Sequence, residues 1–325
     1  MKKLLFIPFL FVLFSCAGDG MGQLQQWMRP NGKVKVLCTI AMIEDIVQQV
    51  GGERVDTITL VTGNLDPHTY QLVKGDDEKL AYAQIIFSNG LGLEHGPSLR
   101  DYMQSNPKAI RLGDRVMDAD PSLVLHYNGT LDPHIWMDIS LWEKIVPYIV
   151  EALIQIDPKN EKVYQENGKR LQEKMQRTHR DVKGVLRGIP DEKRYLVTSH
   201  DAFNYFARAY LASDEEDTQE EWQDRFAAPE GLAPESQLST TDIQMIIDHL
   251  KKFDIRVLFP ETNVSKDSIR KIVDAGRENG MELSIAKVYL YGDAMGVAGS
   301  SGDTYLKMIK HNANAIANYI NGKYD

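Results

Sequence analysis

Cysteine is scarce in this chain, and long apolar runs are missing beyond its first residues. The 325 residues contain two cysteines, Cys16 and Cys38. After the N-terminal stretch, no apolar run reaches the roughly 18 residues that a membrane-spanning helix needs. Hydrophobic residues still make up 43% of the chain. The fold must therefore be stabilised by an ordinary buried core, in one large or two medium domains.

Positive charge is also in the minority. The chain has 37 Lys and Arg against 46 Asp and Glu, which gives a formal net charge of −9. Removal of residues 1–15 would take away Lys2 and Lys3, so the net charge would change from −9 to −11. This balance argues against a nucleic-acid partner and is compatible with cation binding.

Residues 1–15 have the organisation of a secretion signal peptide. They combine a basic start, an apolar run of about eleven residues and a small residue at the end. Leu13-Phe14-Ser15-Cys16 resembles a bacterial lipobox, so we expect Cys16 to be lipidated and residues 16–32 to form a lipidated tether. The protein would then be anchored in the cell envelope, facing the periplasm or the exterior. An ordinary signal peptide or a short anchor is the alternative.

Cys38 closes the apolar run Val34–Cys38, which predicts a buried strand residue and no ligand role. With Cys16 lipidated, Cys38 has no intrachain partner for a disulfide.

Strand and helix patterns alternate along the chain. Strands are predicted at Val34–Cys38, 57–62 and 85–87, and again at 195–198, 256–259 and 283–286. Apolar residues at helical spacing from Ile40 to Val50 predict a helix that Gly51-Gly52 ends. An amphipathic helix is predicted at 305–320. This alternation is typical of mostly parallel sheets flanked by helices.

A long polar helical pattern divides the chain. About 28 helical residues within 158–189 would span about 42 Å. We expect an α/β fold of two lobes, 33–157 and 190–325, joined by this rigid connector. A surface helix of a single domain is the alternative interpretation.

Four short segments carry the most specific functional pattern. Asp66-Pro67-His68 and Asp132-Pro133-His134 share a tripeptide in which proline stiffens the turn before the histidine. The other two are Ser199-His200-Asp201 and Asp293-Ala294-Met295-Gly296. Each of the four segments lies in a separate strand-to-helix unit. In such folds, ligands bind beyond the carboxyl ends of the strands. We predict a divalent metal site with the ligands His68, His134, His200 and Asp293.

The predicted ligand set leaves the metal open. Three imidazoles and one carboxylate suit tetrahedral Zn²⁺. A bidentate aspartate would add a ligand atom and admit Mn²⁺ or Fe²⁺. Asp138, Asp201 and Glu261 could orient the imidazoles from behind, and Glu261 could instead bind the ion.

The acidic segment 214–224 has two interpretations. Seven of its eleven residues are acidic. It is either a solvated surface loop, or a loop that collects cations or docks a partner.

The combined motifs resemble the metal-specific solute-binding lipoproteins of bacterial ABC importers, the TroA/ZnuA-like cluster A-I. The likeness covers about residues 33–322. It is carried by the four segments above and by further motifs, namely Ile40-Ala41-Met42-Ile43, Asn89-Gly90-Leu91-Gly92-Leu93-Glu94 and Gly302-Asp303-Thr304-Tyr305. The resemblance implies metal held between two lobes by His68, His134, His200 and Asp293. It also implies a monomer without enzymatic activity that delivers zinc or manganese to an ABC permease.

Two features bear on the choice of metal within this family. Members with a carboxylate at the third ligand position are often manganese binders, whereas this chain has His200. Many zinc-specific members carry a long His-rich loop, which this chain lacks.

Two other functions remain as alternatives from sequence. A surface adhesin or structural lipoprotein could hold metal incidentally. A metallohydrolase is less favoured, because four protein ligands would close the position that catalytic water needs and no His-Glu-x-x-His motif occurs.

Overall fold

The computed structural model describes residues 19–127, 129–219, 221–232 and 238–323. The expected signal peptide and Cys16 lie outside these residues. Within them, no helix is both long and apolar enough to cross a bilayer. The strands, in chain order, are β1 Val34–Cys38, β2 Val55–Thr59, β3 Ile85–Ser88, β4 Ala109–Arg111, β5 His126–Tyr127, β6 Thr130–Leu131, β7 Leu196–Val197, β8 Phe226–Ala227, β9 Val257–Leu258 and β10 Ser284–Ile285.

The α-helices include short N-terminal ones, a long central one and a closing one. They are α1 Asp19–Trp27, α2 Ala41–Gly51, α3 Asp76–Tyr82, α4 Pro97–Ser105, α5 Leu112–Ala119, α6 Ile139–Trp142, α7 Val146–Ile156, α8 Glu161–Arg187, α9 Asn204–Phe206, α10 Asp214–Gln219, α11 Thr240–Lys252, α12 Asp267–Glu278 and α13 Tyr305–Ile320. A π-helical turn at Ala207–Leu211 continues α9.

The N-terminal lobe contains a four-stranded parallel sheet in the order β2-β1-β3-β4. All five residues of β1 are buried, as its mostly apolar pattern predicts for a central parallel strand. Lys35 is the charged exception, and its Nζ lies 2.6 Å from Asp56 Oδ2. Strand β2 begins at Val55, two residues before the predicted start. Gly52, at φ 52°, ends α2 and a single 3₁₀ turn then leads the chain into the sheet.

The C-terminal lobe repeats the parallel arrangement with shorter strands. Strand β7 pairs with β8, and β9 pairs with β10. The amide of Phe259 donates to Val197 O at 2.9 Å and joins the two pairs. Each of these strands pairs over two residues only. Strands β7, β9 and β10 lie inside the longer stretches that the sequence predicted, whereas β8 was not predicted.

Helix α8 lies where the connector was predicted and packs on both lobes. Its 27 residues span about 40 Å. Leu171, Met175 and Leu186 on its buried face belong to one apolar core shared by the lobes. From α13, Tyr305 OH donates to Trp136 O at 2.8 Å and so ties the C-terminal lobe to the N-terminal one. The predicted α/β fold class is confirmed.

Helix α1 occupies part of the segment expected to be a tether. Leu24 and Trp27 lie one turn apart and are buried against the outer face of the first sheet. Trp27 Nε1 donates to Asp56 O at 2.9 Å. Residues 19–27 of the expected tether are therefore helical, and this helix packs on the domain through Leu24 and Trp27.

The acidic segment forms α10 and a 3₁₀ turn, Glu221–Arg225. Its carboxylates pair with arginines: Arg187 Nη2 lies 2.6 Å from Asp214 Oδ1, and Arg225 Nη2 lies 2.7 Å from Glu216 Oε1. The segment is therefore helical where a loop was expected, and two of its carboxylates are paired with arginines.

Candidate metal centre

The four predicted ligands meet at one buried point between the lobes. One donor atom from each of His68, His134, His200 and Asp293 lies within 4.8 Å of the other three, and all four residues are buried. His68 Nε2 is 3.2 Å from His134 Nε2. Asp293 Oδ2 is 3.1 Å from His200 Nε2, and its Oδ1 is 3.4 Å from His134 Nε2. Such spacing fits a set of ligands around one cation.

His68 enters the site from the loop that follows β2. Asp66 Oδ1 accepts a hydrogen bond from the amide of His68 at 2.8 Å, and Asp66 Oδ2 accepts one from Thr69 Oγ1 at 3.0 Å. With Pro67 between them, these bonds form a rigid turn. The imidazole is thus presented with little conformational freedom to lose.

His134 enters from the turn after the β5–β6 hairpin. Asp132 Oδ1 accepts from the His134 amide at 2.9 Å, as in the first tripeptide. The same oxygen lies 2.7 Å from His134 Nδ1. With Asp132 as the acceptor, Nδ1 carries the proton, and Nε2 keeps its lone pair on the side of the other predicted ligands.

Asp132 is itself fixed by the C-terminal lobe. Asn204 Nδ2 donates to its Oδ2 at 3.0 Å, and Tyr205 OH donates to its carbonyl at 2.9 Å. The His134 turn is therefore braced from the opposite side of the cleft.

The Asn89–Glu94 motif supports the same turn from the N-terminal lobe. Asn89 Nδ2 donates to Pro133 O at 3.0 Å. Glu94 Oε1 accepts from the Asn89 amide at 2.8 Å, and Oε2 accepts from the Gly90 amide at 3.0 Å. The buried carboxylate thus holds the loop that carries Asn89.

His200 follows β7 and is held by Glu261, which lies three residues after β9. Glu261 Oε1 accepts from the amides of Ser199 and His200 at 3.0 and 2.9 Å. Its Oε2 lies 2.7 Å from His200 Nδ1. Burial would lower the pKa of His200, but the charges of Glu261 and Asp293 outweigh it and raise that pKa well above its usual value.

Asp293 completes the site from the loop after Leu290. Burial would raise the pKa of Asp293, but the His200 charge and hydrogen bonds outweigh it and hold that pKa well below its usual value. Trp136 Nε1 donates to the carbonyl of Gly292 at 3.0 Å and links this loop to the His134 segment. The carboxylate therefore stays ionised and fixed in place.

The three acids that were expected to orient the imidazoles, Asp138, Asp201 and Glu261, lie in different places. Glu261 lies behind His200, on the side of the ring away from the other ligands. Asp138 instead caps α6 through the Ser140 amide, and Asp201 Oδ1 accepts from Asn204 at 2.8 Å. Neither of these two contacts a site imidazole in the manner expected. Asp132 supports His134, a role that the sequence analysis missed.

The family described as "Zinc-uptake complex component A periplasmic" (ZnuA) matches residues 36–319. The chain belongs to the ZnuA family. Among its curated relatives, metal-binding protein YtgA of Chlamydia trachomatis is 37% identical over 99% of this chain and 95% of YtgA. Manganese-binding lipoprotein MntA of Bacillus subtilis is 30% identical over 94% of each chain.

Solved structures of this family share the fold. Fe(III)-bound YtgA from C. trachomatis superposes with a TM-score of 0.83 at 38% identity, covering 89% of this chain and 98% of that one. Periplasmic zinc-binding protein TroA from Treponema pallidum gives 0.80 at 27% identity, covering 89% and 99%. The predicted family resemblance is confirmed. Members of this ZnuA family are cell-envelope proteins that bind metal for ABC transporters, and the relatives' names cover zinc, manganese and iron.

Proposed function

We propose that this protein captures one transition-metal ion between its lobes through His68, His134, His200 and Asp293 and delivers it to an ABC permease. The observation that carries the proposal is the convergence of three imidazole nitrogens and one carboxylate at a buried point. A metal cargo requires buried ligand atoms that face inward and have no other role. Zn²⁺, Mn²⁺ and Fe²⁺ are the candidate ions; the relatives' names say zinc for TroA, manganese for MntA and Fe(III) for YtgA.

The division of ligands between lobes suits capture followed by release. His68 and His134 come from the N-terminal lobe, and His200 and Asp293 come from the C-terminal lobe. A small shift between lobes would separate the two pairs. Because α8 and the shared core resist a wide hinge motion, we expect release through local shifts at the cleft.

The relatives favour transport over catalysis. The names of MntA, TroA and SsaB describe binding proteins, and SsaB is a metal ABC transporter substrate-binding lipoprotein of Streptococcus sanguinis. We therefore propose a binding protein without enzymatic activity.

Metal accumulation in cells tests the proposal. A strain that lacks this protein, grown in metal-depleted medium, should accumulate less Zn or Mn than its parent. The wild-type gene should restore the metal content, and His134→Ala should fail although the protein is present at the same level. Equal restoration by both genes would contradict the proposal.

Membrane anchoring is a separate proposal, based on the lipobox that ends at Cys16. Mass spectrometry of the mature protein should find a lipid on Cys16, and Cys16→Ala should release the protein from the membrane. The soluble form should sediment as a monomer. An unmodified Cys16 in the mature chain would show that the anchor is absent.

A further inference from the structure

Asn263 is a polar residue beside the site whose role the proposed ligand set does not explain. It follows Glu261 by two residues, and its Nδ2 lies 3.3 Å from Asp293 Oδ2 as a hydrogen-bond donor. Its Oδ1 is buried and accepts no hydrogen bond among the described residues. Asn263 as a whole is half-buried, and a side-chain amide with one orphaned oxygen beside the Asp293 carboxylate needs an explanation.

Backbone pairing fixes Asn263 beside the Asp293 loop. Glu261 and Leu290 form an isolated parallel bridge, and the Thr262 amide donates to Leu290 O at 3.0 Å. The chain leaving Glu261 therefore runs alongside the chain that leads to Asp293. The amide nitrogen faces the carboxylate because the reverse orientation would bring two oxygens together.

The carboxylate of Asp293 turns both oxygens toward the imidazoles. Its Oδ1 lies 3.4 Å from His134 Nε2. Its Oδ2 lies 3.1 Å from His200 Nε2 and 3.5 Å from His68 Nε2. Rotation of the carboxylate about its own axis would break the bond from Asn263 to Oδ2. The amide therefore holds the orientation in which both oxygens can reach one ion.

We propose that Asn263 is a specificity-determining residue that holds Asp293 in a two-oxygen binding mode. This inference rests on the proposed function. Two oxygens and three imidazole nitrogens make five ligand atoms, which suits Mn²⁺ and Fe²⁺ better than the tetrahedral shell that Zn²⁺ prefers. The orphaned Oδ1 can also accept from a water bound to the ion, which a six-coordinate ion would carry.

Competition titrations with Mn²⁺ and Zn²⁺ test this role. Asn263→Ala should weaken Mn²⁺ binding by about tenfold or more, as loss of a residue that supports a ligand commonly does. Zn²⁺, which needs one carboxylate oxygen, should change much less. Asn263→Leu, of similar shape but without a donor, should behave in the same way. X-ray absorption of the Mn²⁺-bound variants should show fewer light-atom neighbours than in wild type.

Thr262→Val is the matched control, since it preserves shape at the adjacent position and should leave both affinities unchanged. Unfolding temperatures of the metal-free variants should equal that of wild type. If wild type binds metal and Asn263→Ala weakens Mn²⁺ binding and Zn²⁺ binding equally, this inference fails while the proposed function stands. The same holds if Asn263→Ala weakens the binding of neither ion. If wild type binds no metal, the proposed function fails with it.

Discussion

Gly292 lies so close to Glu261 that no side chain fits between them. A Cβ at position 292 would lie 2.3 Å from Glu261 Oε2 and 3.2 Å from His200 Cε1. The first distance is far below van der Waals contact. The carboxylate that holds His200 therefore depends on a glycine in the loop that carries Asp293.

Gly292→Ala should displace Glu261 and His200 and so weaken metal binding by at least about tenfold, as for a lost supporting contact. Overpacking of this buried position should also cost about 1–3 kcal/mol of stability. Titration and thermal unfolding measure the two effects. Gly184→Ala is the control, because a Cβ there meets nothing within 4 Å and α8 should gain stability. Unchanged metal affinity in Gly292→Ala would contradict this reading of the contact.

Asp66 and Asp132 offer a matched pair for testing how the imidazoles are oriented. Both accept a hydrogen bond from the histidine amide two residues on, but only Asp132 lies against an imidazole Nδ1, at 2.7 Å. Asp132→Asn should lower metal affinity about 10–100-fold. Asp66→Asn keeps the turn's acceptor and should have a smaller effect. Isothermal titration of both variants measures the two losses of metal affinity. Equal losses would show that the Nδ1 contact is unimportant.

Metal affinity should fall as the solution becomes more acidic. Burial lowers the pKa of His200, but the charges of Glu261 and Asp293 outweigh it and raise that pKa, so the metal-free ring holds a proton more strongly than a free imidazole. The ion needs a neutral Nε2 and must displace that proton. Below the raised pKa, affinity should drop by about tenfold per pH unit for each proton displaced. Titrations between about pH 6 and pH 8, in buffers of different ionisation enthalpy, should detect the released proton.

Glu261→Gln removes one of the two charges that raise the pKa of His200 and should reduce the proton release on metal binding. A wild-type affinity independent of pH over the same range would contradict this account of His200.

Cys38 should be inert in the folded protein. Its side chain is fully buried in β1, and burial, with the nearby Glu44 charge, raises the pKa of the thiol well above its usual value. A chromogenic disulfide reagent should label Cys38 only after denaturation. Rapid labelling of native protein would show that β1 opens or lies at the surface.

The convergence of His68, His134 and His200 could be predicted, because local patterns mark these residues. His68 and His134 share a tripeptide whose proline restricts the turn, and His200 follows a buried strand. The closing helix, Tyr305–Ile320, was predicted at its observed bounds because its apolar spacing is regular. Periodicity and turn chemistry are short-range properties that one sequence displays directly.

The supporting residues could not be predicted, because their roles depend on contacts between distant segments. Asp66 and Asp132 occupy identical tripeptides, yet only the second meets an imidazole ring. Asn263 and Gly292 lie on the two segments that the pairing of Glu261 with Leu290 brings together. No local sequence pattern displays this pairing. The strands at 195–198, 256–259 and 283–286 were predicted too long, since only two residues in each pair with a neighbouring strand, and β8 was not predicted.

Elemental mass spectrometry of the purified soluble form, residues 17–325, tests the central claim most directly. After incubation with Zn²⁺ and Mn²⁺ in competition, wild type should retain about one equivalent of metal per chain, as one ligand set predicts. His68→Ala should lose it, and Gly184→Ala should retain it. An absence of stoichiometric metal in wild type, or equal metal content in wild type and His68→Ala, would contradict a metal site at these four residues.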